Sequence, residues 1–229
     1  MSGPAGTPGP HVFVDSLDAP QLSEADLGHL AKALRMRDGD SLTISDGAGS
    51  WKSAVFSQSG ALETVGETHQ VPERTKPLTI AFSLVKGTKP ELVIQKLTEL
   101  GIDRIVVLRA ARSVVKWDED KVAKALGRWN RIIREAAMQS HRVRLPTIEA
   151  VVDAQDWLQA PEVSVAHFGG APLTAEATSI AIGPEGGWDT SELDLVPRDS
   201  GRWVTLGDTV LRAETAAIAA GTLLSAATG

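Results

Sequence analysis

Cysteine is absent from this chain of 229 residues, which excludes disulfides, thiolate zinc sites and a cysteine nucleophile. Tyrosine is absent too and phenylalanine numbers only four, so recognition of a nucleic acid by stacking is limited. The five histidines, His11, His29, His69, His141 and His167, show no i, i+4 pairing, and no metal site is expected. No apolar run approaches the length of a membrane span. Residues 1–10 lack the basic and apolar regions of a signal peptide and read as a disordered leader, which makes a cytoplasmic location the default. Neither G-x-G-x-x-G nor G-x-x-x-x-G-K-[ST] occurs, so the phosphate-cradling loops of the commonest nucleotide sites are missing.

What is present is unevenly distributed. Net charge is −6, yet between Arg104 and Pro146 there are 11 Lys and Arg against 4 acids, a local +7 that leaves −13 for the remainder. An acidic body with one basic segment suits a protein that grips a phosphate backbone in one place. With 42% hydrophobic residues the chain can bury a sizeable core, as one large domain or two smaller ones.

Two patterns divide the chain. Ser23-Glu24-Ala25-Asp26 has the form of a capping box, and Leu27, Leu30, Ala31 and Leu34 follow on one helical face. Residues 41–45 and 51–56, joined by the turn Asp46-Gly47-Ala48-Gly49, read as a hairpin. Residues 11–70 are therefore expected to be a small strand-rich domain, and 71–77, with two prolines and mixed charge, a linker. From residue 78 to 229 strands alternate with helices. An apolar strand at 78–85, a helix capped at Thr88 with Pro90 in its first turn, and a strand at 105–108 form a βαβ unit. A long helix over 120–140 places Val122, Leu126, Trp129, Ile132, Ile133 and Ala136 on one face. Lys121, Lys124, Arg128 and Arg131 fall on the other, a basic stripe expected to face outward. Strands at 163–168, 179–182 and 203–205, a short helix from Ser191 and a final alanine-rich helix from Ala213 complete an α/β domain with no internal repeat.

Chemistry concentrates in the last third. Ile180-Ala181-Ile182 runs into Gly183-Pro184-Glu185-Gly186-Gly187-Trp188, and some twenty residues later comes Leu206-Gly207-Asp208-Thr209-Val210-Leu211-Arg212-Ala213-Glu214-Thr215-Ala216. Each loop follows an apolar strand and delivers glycines just before a helical pattern, so backbone can approach a ligand without Cβ interference. Valine at Gly186 or at Gly207 is expected to abolish ligand binding.

This pair of loops resembles the cofactor-binding end of the RsmE-type rRNA methyltransferases, a branch of the SPOUT superfamily that uses S-adenosylmethionine. The resemblance extends, in order, over Lys86-Gly87-Thr88-Lys89, Gln95 to Gly101, Arg112-Ser113, Glu135 to Arg142 and Leu145-Pro146, with His29-Leu30 and Leu34 to Asp40 as an N-terminal signature. It implies a small PUA-like β-barrel followed by a SPOUT-type, trefoil-knotted α/β methyltransferase domain, a fold that periodicity could never show. It implies methyl transfer to N3 of a uracil in 16S rRNA of the small ribosomal subunit. The cofactor would be held by His167, Gly183, Pro184, Glu185, Gly186, Gly187, Leu206, Gly207, Val210, Leu211, Arg212, Glu214, Thr215 and Ala216. Arg142, Gln139 and Arg112 match the family's RNA-side positions and are the candidate catalytic residues; Lys86 and the basic stripe are candidates for RNA binding. Glu185 and Glu214 are either bases or structural acceptors for loop amides. A two-fold homodimer is expected, with the alanine-rich helix as its packing face. The family often opens its first strand with arginine where this chain has Pro10-His11, and Met138 and His141 also replace commoner residues. Two other readings remain: a non-catalytic RNA-binding protein, and a SPOUT enzyme with another rRNA or a tRNA target.

Overall fold

A computed structural model of the protein describes residues 4–115, 117–174 and 176–228. The first three residues of the expected leader and Lys116 of the basic segment lie outside the described residues. The chain divides into two compact units, one reaching to Arg74 and including Arg134–Leu145, the other comprising Thr75–Ile133 and everything from Pro146 onward. The break at Arg74 falls inside the expected linker. The placement of Arg134–Leu145 departs from the contiguous second domain read from the sequence. Helical periodicity reveals which face is buried but not in which core.

In the first unit, strands β1 (His11–Phe13), β2 (Ser41–Ser45), β3 (Ser50–Val55) and β4 (Glu63–Gln70) form one sheet in that order. β1 runs parallel to β2, and the other pairs are antiparallel. The β2–β3 pair is the expected hairpin, its turn fixed by Asp46, whose Oδ1 accepts from the amides of Ala48 at 2.7 Å and Ser50 at 3.0 Å. Residues 4–10, expected as a disordered leader, form turns, with Pro4 buried and the Pro10 carbonyl accepting from the Thr43 amide at 2.9 Å. Helix α1 (Glu24–Gly28) continues into a π-helical turn, His29–Ala33. Ser23 caps α1 by accepting from the Asp26 amide at 3.1 Å, but Asp26 does not complete the capping box. Its carboxylate takes the Ser23 hydroxyl at 2.7 Å and the Arg134 guanidinium at 2.8 Å instead. Arg134 also donates to the Phe13 carbonyl at 3.0 Å. Val12, Leu30, Leu42, Ile44 and Phe56 are the core, and Met138 packs against it.

His11 explains the departure at the start of β1. It is 2% exposed, with Nδ1 hydrogen-bonded to Thr43 Oγ1 at 2.8 Å and Nε2 to Ser45 Oγ at 3.0 Å. Its ring stacks on His141 with centroids 6.0 Å apart, so two of the residues that depart from the family pattern are in contact with each other. Burial first, then the charges of His141 and Arg134, lowers its pKa from 6.5 to about 3. Above pH 6.5 the imidazole is neutral in folded and unfolded chains alike, and contributes no pH dependence. Between pH 6.5 and about 3 the unfolded chain binds a proton that the folded one refuses, so stability falls as pH falls, by up to about 1.4 kcal/mol per pH unit. Denaturant midpoints measured from pH 7.5 downward should therefore drop below pH 6.5. His11→Gln should flatten that drop, and an equal slope in the variant would show that other groups cause it.

In the second unit six strands run parallel in one sheet. β5 (Thr79–Ser83), β6 (Arg104–Arg109), β7 (Thr147–Asp153), β8 (Val163–Pro172), β9 (Ser179–Ile182) and β10 (Trp203–Thr205) take the order β10-β8-β9-β5-β6-β7. Every residue of β5 and β9 is buried, as central strands covered on both faces require. Helix α2 (Lys89–Glu99) packs on α6 (Ala213–Thr228), which lies on β5 and β9, while α4 (Ala154–Leu158) packs on β7, β8 and the short α5 (Thr190–Leu193). Ala81, Val106, Leu108, Val165 and Ala181 share a core cluster with α4. Thr88 sits at the N-cap of α2 as expected, with Pro90 in the first turn, but its hydroxyl makes no capping bond. Helix α3 (Glu119–Gln139) buries Trp129 completely and stacks it on Trp117 at 5.6 Å.

Candidate functional site

Open parallel sheets bind ligands beyond the carboxyl ends of their strands, and a cavity of about 330 Å³ lies at the ends of β9 and β10, beside the middle of β8 and the first turn of α6. Its size falls within the range of small-molecule sites, about 300–1,000 Å³. Two glycines shape it. At Gly183 a Cβ would lie 3.0 Å from the Trp188 indole, so a side chain there would push Trp188 back by a few tenths of an ångström. Gly207 has φ +143°, a conformation that side chains rarely adopt. Leu206, Val210 and Leu211 line the cavity, and among the described residues their amide N–H groups have no hydrogen-bond acceptor. Trp188 Nε1 and Glu214 Oε2 are buried without a partner. Free amides beside apolar walls suit a flat, partly polar ligand such as an adenosyl group.

A single cation ties the two glycine loops together. Lys89 Nζ, at the start of α2, lies 2.7 Å from Glu185 Oε1 and 3.2 Å from Glu214 Oε1. The hydrogen bond to Glu185, then that to Glu214, raises the Lys89 pKa. Burial works against the charge on Glu214, but its own amide and the Lys89 ammonium outweigh that and hold its carboxyl below the ordinary value. A carboxylate held below its ordinary value, as at Glu214, is a weak proton acceptor. Both glutamates accept from the one lysine side chain. Lys89 was part of a motif in the sequence but carried no assigned role; nothing in local spacing links residues 89, 185 and 214.

Of the residues expected to hold a cofactor, His167, Gly183, Pro184, Glu185 and Gly187 line the cavity, as do Leu206, Gly207, Val210, Leu211 and Ala216. Gly186, Arg212, Glu214 and Thr215 are not on its wall. A Cβ at Gly186 would meet only Arg112, at 3.6 Å and beyond. Trp188, the last residue of the first glycine loop, also lines the cavity, as do Phe168, Leu193 and Thr205, ordinary apolar or strand residues without a local signal. Arg112 reaches this loop from the other side, with Nε 3.2 Å from Asp189 Oδ2 and Nη1 donating to the Gly186 carbonyl at 3.4 Å. Asp189 caps α5, and the Ser191 amide, the Ser191 hydroxyl and then Arg112 hold its carboxyl below the ordinary value against burial. Gln139 and Arg142 belong to the first unit, Arg112 to the second. Gln139 is exposed at the end of α3, and Arg142 Nε donates to the Arg144 carbonyl at 2.6 Å.

The expected basic stripe is solvent-facing, with Lys121, Lys124, Arg128 and Arg131 all exposed. It is not uniformly free. Arg128 pairs with Glu91, and Lys121 lies 3.6 Å from Asp118. Lys124 and Arg131 form no ion pair among the described residues, and Lys86 is likewise exposed and unpaired. If the stripe meets phosphates, Lys124→Glu with Arg131→Glu should weaken RNA binding and flatten its salt dependence, while leaving small-ligand affinity alone. Unchanged salt dependence in a filter-binding series would mark the stripe as a solvated helix face.

Comparison with known proteins places this geometry among methyltransferases. The family model described as an RNA methyltransferase domain matches residues 72–225. The chain is 34% identical to the ribosomal RNA small subunit methyltransferase E of Mycobacterium bovis, over 91% of this chain and 88% of the relative. To the protein of the same name from Bacillus subtilis it is 32% identical over 85% of each. A methyltransferase of Legionella pneumophila, solved with bound cofactor SAM, superposes with a TM-score of 0.79 at 27% identity, covering 96% of this chain and 98% of that one.

Proposed function

The chain belongs to the RNA methyltransferase family, in its ribosomal RNA small subunit methyltransferase E branch, and from that premise we propose that it methylates N3 of a uracil in 16S rRNA with S-adenosylmethionine. The observation that carries this reading is the cavity at the ends of β9 and β10 beside β8, built from two glycine loops that Lys89 clamps together, with Arg112 against the outer side of the first loop. Backbone at Leu206, Val210 and Leu211 would hold the adenosyl portion, with the walls at Gly183 and Gly207 leaving room for it. S-adenosylmethionine, when bound, supplies an electrophilic methyl on sulfur.

The N3 imide proton is mostly retained at neutral pH, so the site must favour the anion as the nitrogen becomes nucleophilic. Arginine suits that task because its guanidinium stays protonated and donates hydrogen bonds to an oxygen that gains charge. Arg142, Gln139 and Arg112 are our candidates for positioning and polarising the uracil. Lys86 and the exposed stripe would carry phosphates.

The finer architecture belongs to the same reading. The first unit is a PUA-like barrel, the second a SPOUT domain with a trefoil knot, and the enzyme works in the cytoplasm as a two-fold homodimer. Phe168 and Val210 support the dimer. Both line the cavity yet are 63% and 86% exposed in the single chain, which is apolar surface that a second copy would cover. Among the described residues, no helix is long and apolar enough to cross a membrane.

The test is nucleoside mass mapping. Small ribosomal subunits lacking the modification, incubated with the protein and S-adenosylmethionine, should yield N3-methyluridine at one 16S position. A ribose-methylated nucleoside, or no product despite cofactor binding, would overturn the assignment.

A further inference from the structure

A second cavity, about 600 Å³, opens in the second unit at the ends of β6 and β7. Arg109, Ser113, Trp117, Asp153, Gln155 and Glu192 are on its wall. It shares an element with the cofactor cavity, because α5 turns Leu193 toward the first and Glu192 toward the second. The segment after β6 is shared in the same way. Its Arg112 reaches the Gly186 carbonyl, while Ser113 and Trp117 face the second cavity.

The wall is rigid but its ligand-capable groups are open. Glu192 is 1% exposed and spends both oxygens on backbone, Oε1 accepting from the Ala111 amide at 2.7 Å and Oε2 from the Asp189 amide at 2.8 Å. It is a fixed brace, not a ligand group. Arg109, the last residue of β6, stands in register with Asp153, the last of β7, yet the two form no ion pair. The exposed guanidinium of Arg109 has no partner among the described residues. Asp153 gives Oδ1 to the Gln155 amide at 2.9 Å, and the Gln155 side-chain nitrogen donates to Ser191 Oγ at 3.4 Å, so one oxygen of each side chain remains to accept. Trp117 is half-buried and braced by its stack on Trp129.

We propose that this cavity receives a nucleotide neighbouring the methylated uridine, a specificity subsite that the cofactor loops do not supply. An unpaired guanidinium suits a phosphate, a braced indole suits the face of a base, and free carboxylate and amide oxygens suit exocyclic amino or ribose hydroxyl groups. The inference rests on the proposed RNA substrate, and places one flanking nucleotide on Arg109 and Trp117.

The experiment measures affinity for unmodified small ribosomal subunits across a salt series, with S-adenosylmethionine affinity measured in parallel. Arg109→Gln should lower subunit affinity and reduce the salt slope by about 0.7 to 0.9, the share of one phosphate contact. Arg109→Lys should restore the slope. Trp117→Leu should weaken binding roughly 5- to 150-fold, the range for one base–aromatic stack, and Trp117→Phe, which keeps a ring against Trp129, should recover most of it. Cofactor affinity should stay at the wild-type value throughout. Wild-type affinity and slope in Arg109→Gln, with the wild-type enzyme methylating normally, would overturn the subsite while leaving the proposed reaction intact. Failure of the wild-type protein to bind or methylate subunits would overturn both.

Discussion

Replacing Gly207 by valine should lower affinity for S-adenosylmethionine by about 100-fold or more, measured as lost heat in calorimetric titration. Its backbone lies at φ +143°, a region that a β-branched residue enters only with strain on the order of 1–3 kcal/mol. A Cβ at this position would touch nothing within 4 Å, so the effect comes from the backbone and not from filling the cavity. Thr205 Oγ1 donates to the Gly207 carbonyl at 2.9 Å and fixes the turn. A valine that relaxed this turn would carry Leu206 and Val210, both on the cavity wall, out of place. Gly186→Val, which the loop pattern alone predicts to abolish binding too, becomes the control because Gly186 is not on the cavity wall. Its side chain would meet Arg112 at ordinary contact distance, away from the cavity, so its affinity should stay within a few-fold of wild type. Wild-type affinity in Gly207→Val would mean that the cofactor binds elsewhere.

Glu192→Ala should destabilise the second unit by about 3 kcal/mol or more. The substitution removes a carboxylate that is itself 1% exposed from the Ala111 and Asp189 amides, and a hydrogen bond to a charged group contributes about 1.5–3 kcal/mol. It also removes the brace between α5 and the segment that carries Arg112, so methyl transfer should fall even at temperatures where the variant is folded. Glu192→Gln keeps one acceptor oxygen and should lie between. A denaturation midpoint equivalent to less than about 0.5 kcal/mol of change, the range of neutral surface substitutions, would show that water replaces the carboxylate at no penalty.

Legibility in the sequence tracked the strength of local signals. β9, β10 and α6 are apolar runs or alanine-rich stretches bounded by glycine, and their residues were assigned as they stand in the structure. The three residues of β1 carry no period, and only the family resemblance at Pro10-His11 points to a strand there; β4 escaped because Glu63–Gln70 is polar and largely exposed. β7 escaped for a different reason. Its register slips where it passes β6, and Val151 takes φ +57° there, so side-chain alternation breaks in mid-strand. The glycine loops of the site were legible because glycine marks backbone that must bend or come close. The clamp by Lys89, the brace by Glu192 and the contact between His11 and His141 were not. Each joins residues far apart in the chain through one polar contact, and no local period encodes such a pairing.

The segment Arg134–Leu145 has a consequence for synthesis. The first unit is not a continuous piece of chain, since Arg134, Met138 and His141 help to complete its interior although some sixty residues of the second unit precede them. A ribosome making this protein therefore releases the N-terminal strands well before the helix end that pairs with Asp26 and covers Leu30. Domains usually fold as units in the order they emerge, but here the earlier unit must wait, half-built, until residue 145 is clear of the exit tunnel. A fragment ending at Arg74 would keep every strand of that sheet and still lack the piece that closes it, so nascent chains stalled between residues 75 and 133 should remain protease-sensitive throughout their N-terminal part.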